Sequence, residues 1–163
     1  MNTKPILVLG IGNILLKDEG VGVHVVQAME AKAAVGEIHV PDDVEFFDGG
    51  TFGIDLVNTL VNRRKVIVVD AAQANAPPAT VLRVRREDLA ARSSADLSLH
   101  QVGLLETLTM ARHLGGEPAE VVVIGIVPKD MSPGLELSPE VSLVVPHVIE
   151  MVLREIPGAG ART

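Results

Sequence analysis

Short, predominantly apolar runs alternate along this chain with stretches where apolar residues recur every three or four positions. The runs at residues 5–9, 44–47, 66–69, 80–84 and 121–127 are strand-sized and rich in Val, Ile and Leu. Uninterrupted apolar character marks strands covered on both faces, as in a parallel sheet. Between the runs, Val21, Val25, Val26, Met29 and Ala33 share one helical face, as do Val57, Leu60 and Val61, and then Val102, Leu105 and Leu108. Ser138-Pro139 supplies a capping residue followed by proline at the first helical position, and the pattern continues through Val141, Val144, Val145, Val148 and Val152. Pro146 interrupts that pattern, which predicts a kink there or a helix that starts late.

Strands alternating with helices imply right-handed crossovers. The predicted fold is a three-layer α/β domain: a twisted, mostly parallel five-stranded sheet with helices on both faces. Residues 71–78 and 92–99 read as loops. One domain is expected over residues 1–157, with 158–163 a disordered tail. No apolar run approaches a membrane span, and the first is too short for the core of an export signal, so a cytoplasmic protein without membrane insertion is expected.

Composition narrows the chemistry. A net charge of −7 argues against nucleic acid as partner, and with Phe46, Phe47 and Phe52 the only aromatics, stacking platforms are missing too. The chain has no cysteine, which removes disulfides, thiolate nucleophiles and thiolate ligands together. Any metal must be held by His, Asp or Glu.

Ligands of open parallel sheets bind beyond the carboxyl ends of the strands. There the sequence places Gly10-Ile11-Gly12-Asn13 and Lys17-Asp18-Glu19-Gly20 after the first strand, Asp48-Gly49-Gly50-Thr51 after the second, Asp70-Ala71 after the third and Pro128-Lys129-Asp130 after the fifth. Gly10 and Gly12 begin a dinucleotide fingerprint, but Leu15 stands where its third glycine belongs, and Asp18-Glu19 would repel a pyrophosphate. Asp18 and Glu19 also read as first-turn charges of a helix, and Asp48 as ordinary turn chemistry. Asp70 is harder to explain away, because a carboxylate directly after Val66-Ile67-Val68-Val69 is desolvated unless something positive meets it. His100 lies between a polar loop and a helix. Glu19, Asp70 and His100 together form a plausible site for a borderline divalent metal.

The run from Ile6 through Gly22, containing Gly10-Ile11-Gly12-Asn13-Ile14-Leu15-Leu16-Lys17-Asp18-Glu19-Gly20, resembles the opening of the hydrogenase maturation endopeptidases. Asp48-Gly49-Gly50-Thr51, Val68-Val69-Asp70-Ala71, His100-Gln101-Val102-Gly103-Leu104, Val123-Ile124-Gly125-Ile126-Val127-Pro128 and Leu137-Ser138-Pro139 follow in matching order. The resemblance implies that Glu19, Asp70 and His100 are the metal-binding residues. It also implies an endopeptidase that removes the C-terminal extension of a nickel-iron hydrogenase large-subunit precursor after nickel insertion. The nickel would be the precursor's own, with other divalent metals able to occupy the site. Hydrolysis then runs either on a metal-activated water or, with the metal only docking the precursor, on a water held by Asp48 or Asp18. The rival readings are a non-enzymatic nickel-dependent assembly adaptor and, resting on Gly10 and Gly12 alone, a nucleotide-binding oxidoreductase.

Overall fold

The computed structural model of the protein describes residues 3–51, 55–91 and 99–161. Most of the expected loop at 92–99 lies outside these residues. Five strands form the main sheet: β1 (Ile6–Ile11), β3 (Val44–Gly50), β4 (Lys65–Ala71), β5 (Val81–Arg85) and β6 (Glu120–Ile126). Their order is β3-β1-β4-β6-β5, parallel throughout except for β5, which runs antiparallel along one edge. The five apolar runs are these five strands.

Side-chain alternation explains why both faces need cover. Ile6, Val8, Ile67, Val69, Val122 and Ile124 point to one face, where α1 (Val21–Ala34) and α5 (Pro139–Arg154) bury Val25, Val26, Met29, Val148 and Val152 against them. Leu7, Leu9, Val66, Val68, Val121 and Val123 point to the other. There α2 (Leu56–Leu60), α3 (Arg86–Ala90) and α4 (Leu99–His113) contribute Leu60, Leu89, Leu104 and Leu108. The helix containing Pro146 does not start late: it begins at Pro139 and runs through to Arg154.

The expected disordered tail requires correction. Gly160–Ala161 (β7) pairs antiparallel with Ile38–His39 (β2), so the chain is tied down as far as Ala161. Two-residue strands carry no periodicity, and their pairing joins segments about 120 residues apart, so no local signal announces them.

The helices reach the sheet closely where the first loop turns. A Cβ on Gly22 would stand 2.0 Å from the Val69 carbonyl oxygen and 2.6 Å from that of Ile11. Only glycine lets the start of α1 rest on the ends of β1 and β4.

Candidate functional site

The register of the sheet sets the site. Gly10 of β1 lies opposite Val69 of β4, so the loop leaving β1 begins beside Asp70, the penultimate residue of its strand. That loop closes in a 3₁₀ turn, Lys17–Gly20, which carries Glu19. Gly12 makes the closure possible. Its φ is +138°, and a Cβ there would lie 2.0 Å from the Glu19 carbonyl oxygen. The glycines that suggested a dinucleotide loop thus have a packing role, seating the backbone of Glu19 against β1.

His100, in the first turn of α4, completes the cluster. Its Nδ1 stands 3.1 Å from Asp70 Oδ2 and 3.2 Å from Oδ1, and its Nε2 stands 3.1 Å from Glu19 Oε1. The structure therefore brings together all three residues singled out in the sequence, with the imidazole bridging the two carboxylates. Asp70 is the innermost, its side chain 5% exposed, while Glu19 and His100 are 18% and 21% exposed. The cluster is a buried carboxylate with a half-open mouth.

Burial pushes the Asp70 carboxyl up to about 6, against the pull of the hydrogen bond and charge of His100. The same hydrogen bond to Asp70 raises His100 above its ordinary value, although burial opposes it, and the charges of Asp70 and Glu19 add to the rise. The rise favours the imidazolium form, in which both ring nitrogens donate to carboxylates. The donor types, two carboxylates and one imidazole, suit a divalent ion of borderline softness. Because the two ring nitrogens face different partners, the three groups meet through the ring. Among the described residues no three His, Asp or Glu side chains converge as a ready-made cage. For all three to hold one ion, the ring must exchange its bridging proton for the metal and turn.

Asp48 does not join this cluster. It is exposed at the end of β3, its Oδ1 accepts the Gly50 N–H at 2.9 Å, and no ion pair or hydrogen bond links it to Glu19, Asp70 or His100. It lines a separate cavity of about 350 Å³ with Gly12, Asn13, Ile14, Leu15 and Val23.

Asp18 is the residue that local reading misjudges. It is fully buried, neither a first-turn surface charge nor an available base. Its Oδ2 accepts the N–H groups of Lys129 and Asp130, each at 2.9 Å, and the Ser138 hydroxyl at 2.7 Å; its Oδ1 accepts the Ser138 N–H at 2.8 Å. Burial raises its pKa, but these four bonds outweigh that and hold it below the usual carboxylate value. Ser138 in turn accepts the Val141 N–H at the start of α5, so one carboxylate orders the loop after β6 and the cap of the last helix. The partners lie over 110 residues away, and only the Ser138-Pro139 cap was legible in advance.

This geometry has relatives. The hydrogenase maturation protease family model matches residues 23–155, a stretch that includes Asp70 and His100 and begins just after Glu19. The hydrogenase 2 maturation protease of Escherichia coli is 37% identical over 157 residues, covering 95% of this chain and 92% of that protein. The hydrogenase expression/formation protein HupD of Thiocapsa roseopersicina is 36% identical over 163 residues, covering 98% of this chain and 72% of its own length. Among solved structures, the hydrogenase maturating endopeptidase HybD from E. coli superimposes with a TM-score of 0.81 at 36% identity, covering 96% of this chain and 95% of that one. The nickel-iron hydrogenase maturation protease HybD from Thermococcus kodakarensis gives a TM-score of 0.75 at 25% identity, covering 92% and 97%. With its sheet, its helix layers and nearly its whole length shared with these proteins, the chain belongs to the hydrogenase maturation protease family.

Proposed function

We propose that this protein is the endopeptidase that removes the C-terminal extension of a nickel-iron hydrogenase large-subunit precursor once nickel is in place, and that Glu19, Asp70 and His100 read the nickel. The observation that carries the reading is the imidazole of His100 held between Glu19 and Asp70 at the carboxyl end of β1 and β4. The nickel arrives as part of the substrate. An N,O donor set that meets through exchangeable ring protons suits such a visitor better than a resident ion. Nickel presented by the precursor competes with the proton shared by His100 and Glu19, and Asp70 is the buried anchor that keeps the ring in reach.

Peptide hydrolysis requires a water relieved of a proton and a place for the developing oxyanion. Precursor nickel meets the second need as a Lewis acid, and a carboxylate freed from the imidazolium meets the first. Asp48 is the alternative acceptor, since among the described residues only its Oδ1 takes a hydrogen bond and it faces an open cavity. Asp18 is not, because both its oxygens are engaged. The cytoplasm, where the precursor would meet its nickel before assembly, is the proposed location.

The test is the mass of the precursor after incubation with this protein, with and without nickel loaded. Loss of the C-terminal extension from the loaded form alone supports the reading. An intact precursor that nevertheless binds would make the protein a nickel-dependent adaptor.

A further inference from the structure

Two loops, the first of which leads into the turn that carries Glu19, are fastened together into one rigid rim. Leu16 and Gly134 form a parallel bridge. The Lys17 N–H donates to the Gly134 carbonyl at 3.0 Å, the Gly134 N–H to that of Leu15 at 2.9 Å, and the Asp18 N–H to that of Asp130 at 3.0 Å. Lys17 is held at φ +44°, a left-handed conformation costly for a side-chain-bearing residue, and its ammonium pairs with Asp130 at 2.9 Å. Beneath them sits the buried Asp18 carboxylate with its four donors.

What this rim presents outward is apolar. Ile14 and Leu15 on the first loop are 41% and 59% exposed, and Met131 and Leu135 on the second are 41% and 66% exposed. Half of the large apolar side chains exposed among the described residues stand on these two short loops. Scattered exposed leucines need no explanation, but a cluster on a braced support marks a contact surface. Glu19 follows Asp18 directly in the same 3₁₀ turn, so anything seated on the rim is held in fixed register with the site.

We infer that Ile14, Leu15, Met131 and Leu135 form the docking surface for the folded body of the substrate protein, outside the segment that is cut. Charge favours a protein over a lipid surface. The flanking groups Lys17, Lys129, Asp130 and Glu136 carry both signs and the whole chain is at −7, whereas an anionic membrane calls for a basic surround. Position favours the substrate over a second copy of this chain, because an occupant beside Glu19 that is not the substrate would obstruct the site. The inference rests on the proposed peptidase activity and deepens it.

The experiment compares cleavage of nickel-loaded precursor by the wild type, by the double variant Leu15→Asp/Leu135→Asp and by Leu114→Asp. Leu114 is equally exposed at 64% but follows α4, about 21 Å from His100 by the helical rise. The double variant is expected to raise KM at least about ten-fold with kcat retained. Leu114→Asp should change neither constant, and thermal unfolding should place all three near one midpoint. Precursor binding to immobilised protein is measured in parallel, without reference to cleavage. An unchanged KM and unchanged binding for the double variant overturn the docking surface while leaving the peptidase intact. So does a wild type that self-associates through the rim, seen as a dimer by sedimentation that the double variant abolishes. A wild type that neither binds nor cleaves the precursor overturns both readings.

Discussion

Two aspartates in this chain, Asp18 and Asp70, are both buried, yet their pKa values are displaced in opposite directions. Asp18 is met by four donors and held low, so its contribution is complete above the ordinary value of 3.8 and is lost as pH falls below it. Unfolding in denaturant should therefore show wild-type stability dropping steeply below about pH 4. Asp18→Asn places an NH₂ group against donors that need an acceptor, and should cost about 3 kcal/mol at neutral pH while flattening that acid limb. Asp70 and His100 both have raised pKa values, about 6 in the case of Asp70. A raised value means the folded state holds the proton more tightly. The His100 contribution is thus present in full below its ordinary 6.5 and declines as pH climbs through its folded value. The stability advantage of wild type over His100→Gln should be greatest near pH 6 and shrink on going to pH 9. An advantage that grows with pH would show that the ring is not an imidazolium bridge. Glu19, Asp70 and His100 could be singled out because they stand beyond strand ends or where a polar loop meets a helix, and because the family resemblance points to the same positions. The burial of Asp18 was not legible, because an aspartate before a helix reads as a surface charge until its distant partners are known.

At the scale of elements, the sequence announces whatever is long and periodic. Strands β1, β4 and β6 bury continuous apolar runs, the edge strands β3 and β5 carry shorter, partly covered ones, and α1 and α5 each bury one face, so all of these were readable. The α3 helix, at five residues, is too short to establish a period, and β2 with β7 exists only as a pair. The close seat of α1 is likewise a property of contact between elements. Gly22→Ala would drive a methyl group into the Val69 carbonyl and lift the helix from the ends of β1 and β4. A loss of about 3 kcal/mol is expected from urea unfolding. Because Glu19 sits on the turn just ahead of that helix, cleavage by the folded fraction should fall as well. A variant of wild-type stability would mean that the helix has room the packing denies.

At the scale of the molecule, the sheet does one thing for the site. It sets the ends of β1 and β4 level, so a residue from the loop after one strand and a residue inside the other meet a histidine from a third segment. The fold class followed from alternation alone. What alternation does not convey is how His100 engages its partners, since a histidine with both nitrogens occupied and a histidine ready to ligate have the same sequence. The described residues contain no helix long and apolar enough to cross a membrane.

The most direct test of the account is the mass of a nickel-loaded hydrogenase large-subunit precursor followed over time with wild type, Glu19→Gln and His100→Ala, each first shown to be folded. The account predicts loss of the C-terminal extension with wild type and a fall in rate of at least about a hundred-fold with either variant. Cleavage at the wild-type rate by both variants would contradict it, and would place the peptidase centre away from the histidine bridge.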